Sequence, residues 1–434
     1  MTEPAPLSYG QLSVWRDVRD LEAARRHEAN TRSIWALREQ PGADDPPHTV
    51  AEVERALLAL GRRHESLRTV YDLSDPYAPT QRVLPSCAAD GGVFECDPDD
   101  SAAFDAFTDR LAARPFDLAD EPGWRYRIVT RGGRPCAAIV IKHHIAADGW
   151  SDDALRREFQ SLLRSGAEPG RLPTPPTPRQ LAAWQRDGGA GARAAALRAH
   201  WENVFDVSAA SLRTGADAAS ADEGFQCTAR SRAAYAGADL LARRLSVPLS
   251  SVVLAAFAWS AARRAGAGTP VVQLMSSNRF VPPWNTVISS MNQWTAAMLD
   301  TPDGQFEPFV RHVHARSLSA YRHGMYDVDE NDLLRDKVRA GREAHEATCA
   351  YNYIGGATAP AAGRGSDAEP VSEPEFVWEA PFSRIGHPCY LRAAGIGGHT
   401  LELRLRTLGL AKPLTGELLA DVLSRLTAAV PHGV

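Results

Sequence analysis

The chain has 434 residues, is 44% hydrophobic and 23% charged, and carries a formal net charge of −5 with a pI near 6.2. That length allows two hydrophobic cores, and the mildly acidic balance leaves no electrostatic footprint for nucleic acid or for an anionic membrane. Cys87, Cys96, Cys136, Cys227, Cys349 and Cys389 are scattered without a CxxC pair or metal-ligand spacing. They read as reduced, isolated thiols, so no disulfide framework and no zinc site are expected. The N-terminus, Met-Thr-Glu-Pro-Ala-Pro, has neither a basic region nor an apolar core, which gives no secretory signal and an expected cytoplasmic location.

In chain order, Ser8-Tyr9-Gly10-Gln11 has the form of a capping box, and Leu12, Trp15 and Val18 continue it as one face of a helix. Thr49-Val50-Ala51-Glu52 is a second such box, followed by the helical stripe Val53, Ala56, Leu57 and Leu60, and the helix runs into the polar block Arg63 to Tyr71. Ser101 is placed to cap the next helix, with Phe104, Phe107 and Leu111 on its apolar face. Trp124 to Val129 alternates as a strand does. Cys136 to Ile141 is short, apolar and β-branched, a buried strand running into Lys142-His143-His144-Ile145-Ala146-Ala147-Asp148-Gly149-Trp150-Ser151. Ser151 can cap the helix that follows, whose apolar face is Leu155, Phe159, Leu162 and Leu163. Period-two alternation sends His143 and His144 to opposite faces of the strand end, so one at most faces a given cleft.

Residues 166–178 are rich in proline and glycine and read as a connector, placing a boundary near residue 175 between a first domain, 1–175, and a second, 176–434. Leu181 to Gln185 and Leu197, Trp201 and Phe205 are helical, and 208–224 reads as a loop. Asp239 to Leu245 and Leu249 to Ala265 read as helices separated at Val247-Pro248. The longest apolar run, Val247 to Ala262, is too short to span a bilayer and reads as a buried helix. Val271 to Arg279 reads as a buried strand ending in a charge. The stretch 358–373 is expected to be mobile, Thr400 to Arg406 alternates like a half-buried strand, and Thr415 to Leu426 closes the chain as a helix.

His143-His144-x-x-x-Asp148-Gly149 resembles the HHxxxDG signature of the condensation domains of non-ribosomal peptide synthetases, within the chloramphenicol acetyltransferase-like acyltransferases. Other blocks resemble that family in the same order. They are Ser8 to Gln11 with Trp15, the RHExLRT-like Arg63-His64-Glu65-Ser66-Leu67-Arg68-Thr69, Pro115-Phe116-Asp117-Leu118 before its strand, Arg279 in Ser-Asn-Arg, Asn292, and Ala350 to Gly355. Taken alone, His64, Glu65 and Arg68 read as a solvated polar helix end.

The resemblance implies an α/β fold of two chloramphenicol acetyltransferase-like subdomains, each a mixed sheet packed with helices, arranged in a V with the active site between them. It implies a free-standing condensation enzyme of secondary-metabolite biosynthesis that moves an acyl or aminoacyl group from a carrier-protein thioester to an amine or hydroxyl, giving an amide or ester. His144 is then the catalytic residue, as general base or as a positioning and charge-stabilising donor. His143, Asp148, Gly149 and Arg279 belong to the structure of the site, with an Asp148–Arg279 pair tying the two subdomains together. Gly149 is expected to allow a tight turn and close backbone approach to substrate, and Trp150 and Asn292 are possible cleft lining. No permanently bound cofactor and no metal are implied. The donor arrives on the phosphopantetheine arm of an acyl or peptidyl carrier protein, expected to act in trans because neither carrier nor adenylation module lies between Met1 and Val434. The acceptor is a small amine or alcohol, free or on a second carrier. A coenzyme A-dependent acyltransferase, an epimerising or cyclising relative, or a catalytically silent recruitment platform are the alternatives.

Overall fold

The structure, a computed structural model, describes residues 3–37, 48–86, 89–97, 100–166, 173–187, 191–209, 224–265, 268–300, 304–342, 347–355, 374–379 and 386–428. Residues 167–172 of the expected connector at 166–178, most of the loop at 208–224, and all of 358–373 lie outside them. Two units of contact are formed. The first takes Met1–Ala194, Ser277–Gln293 and Met325–Val328, and the second takes Ala195–Ser276, Trp294–Gly324 and Asp329–Val434.

The first unit holds β1 (Ala5–Pro6), α1 (Tyr9–Arg19), β2 (Asn30–Ala36), α2 (Val50–Arg63), β3 (Thr69–Asp72), β4 (Thr80–Val83), β5 (Val93–Glu95), α3 (Ser101–Ala113), β6 (Trp124–Arg131), β7 (Arg134–His143), α4 (Gly149–Ser165) and α5 (Pro178–Arg186). Both capping boxes form as the sequence predicts, Ser8 with Gln11 and Thr49 with Glu52. At two other helices the cap moves upstream to an aspartate. Asp100 rather than Ser101 caps α3, and Asp148 rather than Ser151 caps α4, because each carboxylate accepts a backbone N–H of the first turn.

The sheet that carries the histidines has the order β2-β7-β6-β5, with β7 antiparallel to both neighbours. β7 is apolar from Cys136 to Ile141 because helices cover both faces. Ala138 and Val140 face the core made with Leu57 and Leu60 of α2 and Phe159 of α4, while Ile139 and Ile141 face Phe104, Phe107 and Leu111 of α3. Lys142 continues the first face. Its ammonium reaches Asp152 of α4 at 2.6 Å and Ser33 at 3.2 Å, so a charged residue is buried at the strand end with a partner.

The second unit holds α6 (Gly191–Asp206), β8 (Gly224–Ser231), α7 (Arg232–Leu245), α8 (Leu249–Ala262), β9 (Val271–Ser276), β10 (Gln293–Met298), α9 (Phe306–Tyr321), α10 (Val328–Arg339), β11 (Cys349–Ile354), β12 (Glu375–Trp378), β13 (Cys389–Ile396), β14 (Thr400–Leu408) and α11 (Lys412–Thr427), with the first residues of α6, β10 and α10 falling in the first unit. Their seven-stranded mixed sheet runs β10-β9-β11-β13-β14-β8-β12. β14 alternates half-buried and buried residues along its length, as its sequence does, and packs with α7 and α11. α8 is buried continuously from Ser251 to Ala261, which is why its sequence is apolar all round instead of striped. Among the described residues no single helix is long and apolar enough to cross a membrane, and the consecutive pair α7 and α8 is bent by 111°.

The sequence boundary near 175 differs from this partition. α5 stays with the first unit: Gln185 accepts the Tyr9 N–H at 2.9 Å, and Leu181 and Trp184 pack with Val287 and Met291 of the returning segment 277–293. A proline-rich composition marks where the chain is extended, but contacts decide which unit a segment joins.

Candidate active site

The junction from β7 to α4 separates the two histidines. His143 closes β7 on the Ile141 side. It is 4% exposed, its ring meets the edge of Phe116, and its Nδ1 accepts the Ile145 N–H at 3.2 Å. Burial, with a smaller contribution from the charge of His144, lowers its pKa to about 3, so the ring is neutral and sealed. His144 lies one residue past the strand. Its backbone N–H donates to the Ala29 carbonyl at 2.8 Å, and its Nδ1 lies 3.3 Å from Ser290 Oγ. Burial lowers the His144 pKa below the ordinary histidine value, opposed chiefly by the charge of Asp148. The imidazole is therefore neutral near pH 7, the state a proton acceptor needs.

Asp148 is the hub of the junction. Its Oδ1 accepts the Ser151 N–H at 2.8 Å and its Oδ2 accepts the Met291 N–H at 3.0 Å. Arg279 Nη2 reaches both oxygens, at 2.9 and 3.0 Å, and also Ser151 Oγ at 2.8 Å and the Ser289 carbonyl at 3.1 Å, while Nη1 donates to the Val287 carbonyl at 2.6 Å. The Asp148 and Arg279 side chains are 0% and 4% exposed, so this is a buried pair whose charges are satisfied on several sides. The guanidinium lies over the ring of the partly exposed Trp150, 4.3 Å from its centroid. A single nitrogen of Arg279 meets both carboxylate oxygens. The pair also lies wholly within the first unit, where it fastens the segment 277–293, instead of tying one subdomain to the other.

Arg279 is not at a strand end either. β9 stops at Ser276, and Asn278 turns the chain with a φ of 55°, a conformation asparagine tolerates better than most residues. Its Nδ2 donates to the Met291 carbonyl at 2.9 Å and Gln293 Oε1 at 3.2 Å. Gly149 opens α4, and a Cβ there would meet nothing within 4 Å, so the protein's own packing does not demand glycine at that position. Glycine is required instead at Gly10, where a Cβ would lie 2.4 Å from the Ser290 carbonyl oxygen and 2.6 Å from Met291 Cα. Asn292 is half-buried beside Met291.

His64, Glu65 and Arg68 act as braces. His64 is buried and bonds Glu158 of α4 at 2.9 Å, Arg179 of α5 donates to both oxygens of Glu65 at 2.8 and 3.0 Å, and Arg68 donates to the Leu84 carbonyl at 2.7 Å. Burial alone would raise the Glu158 pKa; the hydrogen bond and charge of His64, with Arg63, outweigh it and hold the carboxyl below the usual range. Sequence reasoning missed Gly10 as a contact residue and Ser151, Ser289 and Ser290 as members of the site. Only Ser151 carried a local signal, and it pointed to a cap.

A mixed α/β fold in two units, with a histidine pair ahead of a buried aspartate–arginine knot, is the chloramphenicol acetyltransferase-like class. Within it, the family model for the condensation domain matches residues 45–346, and the chain belongs to that family. It is 31% identical over 287 residues, 63% of this chain, to cyclosporin synthetase of Tolypocladium inflatum, and spans 2% of that protein's length. Its fold is similar to that of the condensation domain that mediates chain release from the enacyloxin polyketide synthase, with a TM-score of 0.77 at 19% identity over 100% of this chain and 84% of the other. The condensation domain of the monacolin K polyketide synthase is similar with a TM-score of 0.75 at 17% identity, over 98% of this chain and 97% of that one.

Proposed function

We propose that the protein is a condensation enzyme of secondary-metabolite assembly, transferring an acyl or aminoacyl group from a carrier-protein thioester to an amine or hydroxyl. The observation that supports this reading is the contrast between the two histidines: His143 is sealed and hydrogen-bonded inward, whereas His144 is neutral, half-buried and bonded through Nδ1. Its Nε2 is then the nitrogen left to meet an incoming nucleophile.

In this mechanism the acceptor N–H or O–H gives its proton to His144 Nε2 as its lone pair forms a bond to the thioester carbonyl carbon. The tetrahedral adduct collapses with cleavage of the C–S bond, and the imidazolium returns the proton to the departing thiolate of the phosphopantetheine arm. The products are an amide or ester and a free carrier thiol. No covalent acyl-enzyme is formed. The Asp148–Arg279 knot keeps the loop that bears His144 in register with the segment 277–293 without itself handling a proton.

The reading is tested by presenting one acyl group on a phosphopantetheinylated carrier protein and, separately, on coenzyme A, with a panel of amines and alcohols. Mass spectrometry of the products should find transfer from the carrier. Transfer from coenzyme A alone would assign the chain to a coenzyme A-dependent acyltransferase, and carrier binding without transfer would make it a recruitment platform.

A further inference from the structure

We propose that Ser290 is a positioning residue for His144: its hydroxyl accepts the Nδ1–H and holds the imidazole in the tautomer whose Nε2 bears the free lone pair. The inference rests on His144 being the catalytic base.

The direction of the bond follows from the proposed role. A neutral imidazole carries a single N–H, and a base that accepts at Nε2 must keep that proton on Nδ1. Ser290 Oγ, 3.3 Å from the same nitrogen, then faces an N–H and accepts it. That separation is at the long end for a hydrogen bond, as is common before a substrate is bound.

The placement of the hydroxyl is determined on both sides in the chain. Ser289, before it, donates its N–H to Ser151 Oγ at 3.1 Å, and its carbonyl accepts from Ser151 Oγ and Arg279 Nη2. Met291, after it, donates its N–H to Asp148 Oδ2. The Ser290 carbonyl rests against Gly10, where a Cβ would intrude. Ser290 is fully buried, so its side chain has no solvent-facing alternative. The consequence is a specific duty for the motif aspartate and its arginine: through the two residues that flank Ser290, they deliver the hydroxyl to the ring.

The test uses Ser290→Ala, which removes one atom and keeps the volume, and Ser290→Cys, whose sulfur is a weaker acceptor. Two readouts are taken: kcat and KM with a carrier-bound donor, and the tautomer of His144 from nitrogen-15 NMR, its signal identified by loss in His144→Ala. We expect kcat to fall roughly 10- to 100-fold in Ser290→Ala with KM unchanged, the scale at which residues that orient a histidine act. Ser290→Cys should fall between it and the parent, and the NMR signal should show the second tautomer gaining population. Unchanged tautomer and kcat within twofold of the parent overturn the proposal. So does a loss that appears in KM together with a lowered unfolding midpoint, since that marks a packing role. If His144→Ala is itself fully active while Ser290→Ala still shifts the tautomer, the catalytic reading fails and the contact stands.

Discussion

At the scale of the residue, two adjacent histidines of identical chemistry acquire different properties because one ends a strand and the other follows it. His143 offers a pH test. Its folded pKa of about 3 lies below the unfolded value near 6.5, so folding excludes a proton that the unfolded chain binds. Its contribution to stability is complete above about pH 6.5 and shrinks as pH falls towards 3, by up to about 1.4 kcal/mol per unit. His200 and His387, lowered to about 4 mainly by burial, act in the same window. Glu158, depressed by its partners, loses its contribution as pH falls from the ordinary carboxylate value through its lowered one. Replacing His143 with asparagine keeps an acceptor for the Ile145 N–H and removes one titrating ring. Urea unfolding between pH 6.5 and 4.5 should therefore show a shallower pH slope for His143→Asn than for the parent, and equal slopes would mean His143 is not the buried neutral group described.

At the scale of the element, the Asp148–Arg279 pair and the α1 contact both hold the segment 277–293. A buried charge stranded by loss of its partner costs roughly 3–5 kcal/mol, against at most about 1 kcal/mol for an exposed pair. Asp148→Ala and Arg279→Ala should each lower the unfolding free energy on the larger scale, and the double variant should lose much less than their sum. Additive losses would show two independent roles. Gly10→Ala tests the other contact. Alanine favours a helix interior by about 1 kcal/mol, but its Cβ meets backbone atoms, and overpacking costs about 1–3 kcal/mol. A net loss of stability with reduced transfer is expected, and a more stable variant of unchanged activity would contradict the close approach.

These elements also mark what a sequence can and cannot reveal. The capping boxes, the buried strand into His143 and the all-apolar α8 were legible because their signals lie within one turn or one strand. The cap of α4 was misplaced because Asp148 and Ser151, three residues apart, are both good caps, and only the geometry selects Asp148. α9 went unread: its buried Phe309, Val310 and Val313 alternate with Arg311, His312 and His314, which dilute the stripe. Ser290 could not be found from spacing, because it becomes part of the site through His144, 146 positions away. Arg279 was legible through resemblance alone, and its true partner set, within one unit, was not.

At the scale of the molecule, the second unit supplies a seven-stranded sheet and its helices, while every residue of the described histidine site belongs to the first unit. The boundary expected near residue 175 missed this because the chain returns to the first unit at 277–293 and 325–328. In the proposed mechanism, transfer turns on His144 handling the proton of the acceptor. The direct measurement is single-turnover transfer from a loaded carrier protein, comparing His144→Ala with the parent and with His143→Asn at pH 7.5, with circular dichroism and unfolding midpoints taken on the same preparations. His144→Ala should keep the parent's fold and midpoint and transfer about 10²- to 10⁴-fold more slowly, with His143→Asn affected less in rate than in stability. Parent-like transfer by a folded His144→Ala protein would contradict the account.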